Sequence, residues 1–319
     1  MEDNPVSKTE LEARFPTEES CFDYIFKTRW PGSPACPKCG SFRVWKYGTT
    51  LQCSECRGSI RFLSGTLFQD THLPLLDWFR VMWFIVSQKN GINAMVLRHN
   101  FHLTYSTAWN ILRKLRRAMA GSVDHPLEGS VEVDEAYIGG FKGGAKGMHA
   151  SDKALVVLAA EFTDTSISRV RMKLIPSANA ENLLGFIGGC VKPGTTVVTD
   201  GWKGYSGLEG NGYRHEVRQI APGKKSLPHV NEIMNLLKSW LMDTLRGNPS
   251  PDYLEYYLDE YTFRYNNRHL KSGGEMFYRL LQLAVQTPPV IRDDVRAKKS
   301  EAISHDTLPA EINLETPSY

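Results

Sequence analysis

Val131-Glu-Val-Asp-Glu135 and, further along, Val197-Val-Thr-Asp-Gly201 are the two stretches on which the fold of this chain turns. Each is a short apolar strand that runs into acid. In the first, the valines alternate with Glu132 and Asp134, so both acids share one strand face, away from Val131 and Val133. Glu135 falls on the opposite face and reads as an ion-pair partner. In the second, Asp200 precedes Gly201, a pair that also suits a plain turn. A carboxylate at the end of an apolar strand is costly to bury unless it is paired or binds a cation.

Working outward, the periodicity predicts strands over 131–138, 153–162 and 168–175, a helix over 178–190, and a strand over 195–199 that ends at Asp200. Three antiparallel strands, a helix and a fourth strand ending in acid follow the ribonuclease-H-like order. In that order the first strand is central and the fourth lies beside it, so Asp134 and Asp200 meet although far apart in sequence. Two neighbouring carboxylates repel and call for a cation, which makes Mg²⁺ or Mn²⁺ the natural occupant. The Gly/Lys-rich stretch 139–147 reads as a mobile basic hairpin, and no Gly-Lys-Ser/Thr closes it as a phosphate loop. Beyond Asp200 come an aromatic loop (Trp202, Tyr205, Tyr213) and helices over 230–244 and 253–268. Residues 286–319, with prolines and mixed charge, read as a disordered tail.

Upstream, Cys36-x-x-Cys39 and Cys53-x-x-Cys56 have the spacing of a zinc ribbon, in which four thiolates surround a structural Zn²⁺. A module this small has almost no core, so the metal supplies much of its folding energy. Residues 9–30 look helical with a restart at Pro16, and 74–119 read as three helices. The last two of these, joined through Asn100-Phe-His-Leu103, match a helix-turn-helix. Residues 81–120 hold no Asp or Glu, yet carry Lys89, Arg98, Arg113, Lys114, Arg116 and Arg117. That imbalance suits a phosphate-binding surface, although a solvated helix face gives the same text. Arg113, Lys114, Arg116 and Arg117 are the expected phosphate contacts, with Ser106 and Asn110 nearer the helix start as base readers.

Composition sets the frame. At 319 residues, 41% hydrophobic and 23% charged with net charge +3, the chain is an ordinary globular protein of two or three domains. No apolar run approaches the roughly 18 residues of a membrane span, and Met1-Glu-Asp-Asn-Pro5 is too acidic and polar for a secretory signal. Four of the six cysteines sit in the knuckles, which points to metal binding in a reducing compartment.

From about Phe15 to about Ala284 the chain resembles the ISXO2-like insertion-sequence transposases. The resemblance rests on Thr28-Arg-Trp-Pro31 leading into Cys36-Pro-Lys-Cys-Gly40, on Ser64-Gly-Thr-Leu-Phe68, and on Leu127-Glu-Gly-Ser-Val-Glu-Val-Asp-Glu-Ala-Tyr-Ile-Gly-Gly140. Thr199-Asp-Gly-Trp-Lys-Gly-Tyr205 and Tyr257-Leu-Asp-Glu-Tyr-Thr-Phe-Arg-Tyr-Asn266 complete it. Such a resemblance implies a multidomain α+β protein: an N-terminal helical segment (1–33), a zinc ribbon (34–70), a helix-turn-helix (71–122) and a ribonuclease-H-like catalytic domain with a mixed sheet (127–285). It implies a DNA transposase that cleaves phosphodiesters at transposon ends and transfers the 3′-hydroxyl into target DNA. Asp134 and Asp200 would then hold two divalent cations about 4 Å apart. For the third metal position, Leu227-Pro-His-Val-Asn231 followed by Lys238 fits an Asn version, with Asn231 as ligand and Lys238 as a phosphate contact; Glu232 and the more distant Asn235 are alternatives. Implied partners are double-stranded DNA, both transposon ends and target, and at least a second copy of the chain at synapsis. The expected place is the bacterial cytoplasm and nucleoid, or a eukaryotic nucleus. The rival expectation is a non-catalytic DNA-binding protein, a decayed transposase or a zinc-ribbon regulator.

Overall fold

Two short helices open the chain, α1 (Lys8–Arg14) and α2 (Glu18–Arg29), in a computed structural model that describes residues 4–36, 38–121, 125–139, 153–164, 166–218, 227–245, 250–270 and 272–289. The restart at Pro16 is secured by Thr17, whose hydroxyl accepts the Ser20 N–H while Ser20 returns the bond, a capping box. The ribbon follows as an antiparallel three-stranded sheet of β1 (Val44–Tyr47), β2 (Thr50–Cys53) and β3 (Ser59–Arg61). Next come α3 (Leu75–Ser87), α4 (Ala94–Phe101) and α5 (Tyr105–Ala120). Pro74 offers α3 no side-chain cap, and Glu18 takes that role from α2, accepting the Leu75 and Leu76 N–H groups at 2.7 and 2.9 Å. The α4–α5 turn runs through His102 in the left-handed region to Thr104, which caps α5.

The second half is built on β4 (Ser130–Gly139), β5 (Lys153–Phe162), β6 (Ile167–Ile175), α6 (Ala180–Cys190), β7 (Thr196–Thr199) and β8 (Arg214–Val217). The strands lie in the order β6-β5-β4-β7-β8. The β6–β5 and β5–β4 pairs are antiparallel and the β4–β7 and β7–β8 pairs parallel, which is the ribonuclease-H-like arrangement expected from the sequence. β5 is buried on both faces because its Ala-Leu-Val-Val-Leu-Ala-Ala run has no polar side. Its odd-numbered partners, with Val131, Val133 and Val197, pack on Leu183, Ile187 and Tyr205 around α6. The other sheet face packs on α7 (Pro228–Leu245) and α8 (Pro251–Asn266).

The last described helix, α9 (Gly273–Gln286), falls almost wholly inside the span assigned from sequence to the catalytic domain but packs elsewhere. Its Phe277, Leu280, Leu281 and Ala284 are buried with α1, α2, α3, α4 and α5, so the helical core of the N-terminal half is closed by the C-terminal helix. The Gly/Lys-rich hairpin beyond Gly139 and the tail beyond residue 289 lie outside the described residues. Among the described residues no helix is long and apolar enough to cross a membrane.

Candidate active site and zinc ribbon

The parallel register of β4 and β7 pairs Val131 with Val197 and Glu132 with Val198. Continued two residues, it sets Asp134, midway along β4, beside Asp200, the residue after β7, on the α7 side of the sheet. Burial pushes the Asp134 carboxyl up to about 6, helped by the charges of Glu135, Asp200 and Glu132; the Glu135 N–H, donating to Oδ1 at 2.9 Å, works against the rise. Asp200 is exposed, and its Oδ1 accepts the Trp202 N–H at 2.9 Å, so it does serve the turn that its Asp-Gly pair suggested. Gly201 has φ 86°, and a Cβ there would meet Val217 Cγ1 at 2.7 Å. Only glycine fits directly after this acid.

Glu132, on the same strand face as Asp134, is wholly buried. Its carboxylate accepts the His229 and Val230 backbone N–H groups at 2.8 and 3.1 Å, which fastens the start of α7 to β4. It also pairs with Arg218 at 3.1 Å and meets His229 Nδ1 at 2.8 Å. The His229 ring stacks on Phe162 at 4.3 Å. Of the two acids on this strand face, Glu132 is consumed in the interior network and Asp134 remains for the crevice.

Asn231 follows on the first turn of α7, half-buried, and its amide NH₂ donates to the Leu227 carbonyl at 2.7 Å. The donor end is thereby committed and the amide oxygen is the atom left for another partner. Lys238 sits two turns on along the same helix, half-exposed. Glu232 is exposed and lies on the α8 side, where its charge, after burial, adds to raising the Tyr261 and Tyr265 phenols. Asn235 is exposed further along the same helix. Glu135, expected as an ion-pair partner, instead accepts the buried Tyr205 hydroxyl at 2.6 Å. Burial raises its carboxyl, and the Asp200 charge adds to the rise. Neither Tyr205 nor the buried role of Glu132 was read from the sequence. The available signal was the acid at mid-strand, whose burial demands partners.

In the ribbon the four sulfurs converge. Cys36 Sγ lies 3.5 Å from Cys56 Sγ, Cys39 Sγ lies 3.7 Å from Cys53 Sγ, and the four ligand atoms are all within 4.8 Å of one another. Tetrahedral Zn–S bonds of about 2.3 Å require sulfurs roughly 3.8 Å apart, so the donor set fits zinc. Burial opposes ionisation of Cys36, but the Cys39 and Lys38 N–H groups and the neighbouring thiols outweigh it and bring that thiol down to about 6.

The expected DNA contacts on α5 separate into two groups. Ser106 and Arg117 are exposed, and Asn110 and Lys114 are half-exposed. Arg113 and Arg116 are buried, at 7% and 1% exposure. Arg116 donates to Glu260 at 2.7 Å and to the Ile92 carbonyl at 2.8 Å, and lies over the Tyr257 ring. Glu260 is also held by Arg264, which donates to the Gln88 and Ile85 carbonyls. Arg116 is therefore a tie between α5 and α8 and is out of reach of a phosphate.

A ribonuclease-H-like sheet with acids on two adjacent parallel strands, behind a four-cysteine ribbon, defines a class of nucleic-acid enzyme. Residues 126–266 match the ISXO2-like transposase domain, and residues 16–59 match the transposase zinc-ribbon domain. The chain therefore carries a transposase zinc ribbon followed by an ISXO2-like transposase domain. An uncharacterized protein in the transposable element ISH50 of Halobacterium salinarum is 26% identical over 307 residues, covering 85% of this chain and 98% of that one. Among solved structures, the Mos1 strand transfer complex aligns over 67% of this chain and 79% of its own, at 11% identity and TM-score 0.29. A pre-cleavage Mos1 transpososome aligns over 70% and 79%, at 11% identity and TM-score 0.26.

Proposed function

We propose that this transposase is catalytically competent: it hydrolyses the phosphodiester at each transposon end and passes the freed 3′-hydroxyl to a target phosphodiester. The observation that carries the reading is the register of the parallel pair, which brings Asp134 in mid-β4 beside Asp200 just past β7, on the face to which the Asn231-bearing helix is fastened. Asp134, Asp200 and the amide oxygen of Asn231 are hard oxygen donors suited to Mg²⁺ or Mn²⁺. When bound, those cations supply Lewis-acid stabilisation of charge building on the phosphate. Asn231 cannot take a proton, so the proton of the attacking water leaves to phosphate or solvent. Lys238 contacts a DNA phosphate near the cut. The zinc-loaded ribbon and the exposed start of α5 bind the terminal repeats, with Ser106 and Asn110 toward bases and Lys114 and Arg117 toward phosphates. Two copies meet at synapsis.

The test is a Mn²⁺-dependent nicking assay on duplexes carrying the ends of the element. Asp134→Asn and Asp200→Asn abolish nicking and leave end binding intact, because affinity resides in other elements. Asn231→Ala cripples nicking and Glu232→Ala is nearly silent. If Glu232→Ala alone kills nicking, the third ligand is Glu232. If neither aspartate matters, the chain is a non-catalytic DNA-binding protein.

A further inference from the structure

Asp134 lies on β4, Asp200 follows the end of β7, and Asn231 lies on α7; one buried carboxylate touches or ties all three elements. Glu132 is two residues before Asp134 on the same face. It accepts the N–H groups of His229 and Val230, the two residues before Asn231. Its third partner, Arg218, leaves the end of β8 and donates its own backbone N–H to the carbonyl of Thr199, the residue before Asp200, at 2.9 Å. Arg218 also lies over Phe162, the ring on which His229 stacks, so both side-chain partners of Glu132 share one aromatic support. A fully buried acid on β4, with three polar contacts to the start of α7 and one to Arg218, whose backbone is bonded to the end of β7, is arranged to hold the three elements in their relative positions.

We propose that Glu132, acting through Arg218 and the first turn of α7, is a positioning residue that sets the spacing of Asp134, Asp200 and Asn231 for divalent-metal binding. This rests on the reading of those three residues as metal ligands. Glu132 itself contacts neither metal nor DNA. Its carboxylate is committed to the protein interior, so its loss acts on the shape of the site and leaves the donor atoms in place. The isosteric Gln keeps the volume and one acceptor oxygen, but loses the charge that holds Arg218.

The experiment measures Mn²⁺ dissociation constants by electron paramagnetic resonance on the full chain, zinc-loaded and without DNA. The variants are Glu132→Gln, Arg218→Gln, Asp134→Asn and Glu260→Gln. Asp134→Asn abolishes binding. Glu132→Gln and Arg218→Gln weaken it by about 10- to 100-fold, the range typical of groups that orient metal ligands. Saturating Mn²⁺ restores nicking in these two variants and not in Asp134→Asn. Glu260→Gln, which breaks a buried pair in another part of the fold, loses thermal stability but keeps wild-type Mn²⁺ affinity, separating positioning from general loosening. Arg218 is about one-third exposed, so its variant folds even where Glu132→Gln does not. Wild-type Mn²⁺ affinity in Arg218→Gln, or in a folded Glu132→Gln, with loss in Asp134→Asn, overturns the positioning role alone. Wild-type affinity in Asp134→Asn overturns the metal-ligand reading and the positioning role with it.

Discussion

Replacing Asp134 by Asn stabilises the metal-free protein at neutral pH and costs it the response to Mn²⁺. Asp134 loses water on folding and stands among Glu135, Asp200 and Glu132, which together move its carboxyl from 3.8 to about 6. Each pH unit of displacement is about 1.36 kcal/mol, so the anion is penalised in the folded state by about 3 kcal/mol, trimmed to about 2–3 kcal/mol by partial solvent exposure. The sign follows from linkage: a carboxyl raised on folding favours the folded state when protonated. The penalty is absent below pH 3.8, grows between 3.8 and about 6, and is complete above that. Asn keeps an Oδ1 acceptor for the Glu135 N–H and carries no charge. Thermal melts in zinc-containing buffer free of Mg²⁺ and Mn²⁺ should place Asp134→Asn roughly 5 °C above wild type at pH 7.5, at about 2 °C per kcal/mol for a chain of this size. The gap should close by about pH 4. Mn²⁺ should then raise the wild-type midpoint and leave the variant unmoved. Melting curves that run parallel from pH 4 to 7.5 would refute the crowding of acids on which the site is argued.

Other perturbations read different parts of the molecule. Cys53→Ser should remove the zinc equivalent found by elemental analysis and open residues 36–61 to protease while the larger sheet stays protected; a wild-type zinc content in the variant rejects the four-thiolate site. Glu260→Ala strands Arg116 and Arg264 in the interior and should cost about 3–5 kcal/mol by urea unfolding, whereas a loss under 1 kcal/mol means the network is not holding α5 to α8. Burial alone would raise the Glu260 carboxyl, but Arg116 and Arg264 outweigh it and hold it low, so its contribution is present above the unfolded value of 4.5 and fades as pH falls through the depressed one. Lys114→Gln combined with Arg117→Gln should flatten the salt dependence of DNA binding, and Ser106→Ala should shift sequence preference; an unchanged salt slope places the DNA surface on other elements.

The strands that carry the acids were legible because alternation and apolar runs are local signals. Val131, Val133, Val197 and the β5 run declare their burial without reference to distant partners. β8 was not legible: Arg214-His-Glu-Val217 is a short edge strand with its residues exposed or half-exposed, so no alternation marks it. Its importance comes from Arg218 just beyond it, a charge that in sequence looks like any loop arginine. Arg116 failed for the same reason in reverse. In a segment without acids it reads as a phosphate contact, because its carboxylate partner, Glu260, lies 144 residues further along. Helix α9 carries a regular apolar stripe, yet nothing local says that the stripe belongs with helices from the other end of the chain.

That closure has a mechanical consequence. Helix α5 is buried against α9 on one side, and Arg116 is clamped to α8 on the other through Glu260. The α3–α4 turn is tied in as well: Arg264 of α8 donates to the Gln88 and Ile85 carbonyls, and Asn93 donates to the Thr244 carbonyl of α7 at 3.1 Å. At Gly91 the turn approaches α7 so closely that a Cβ would lie 2.5 Å from the Trp240 ring and 2.8 Å from Thr244. A hinge between the α4–α5 pair and the sheet would have to break a buried ion network and open this contact together. Helix α5, the one proposed to meet DNA, is therefore carried by the same helices that cover the Asp134 face of the sheet. On the proposed role of α5, binding there would fix the orientation of that face toward the DNA without a separate docking step; the shared packing itself means that Gly91→Val should disturb the folding of both halves at once, seen as a single cooperative loss in urea and not as two transitions.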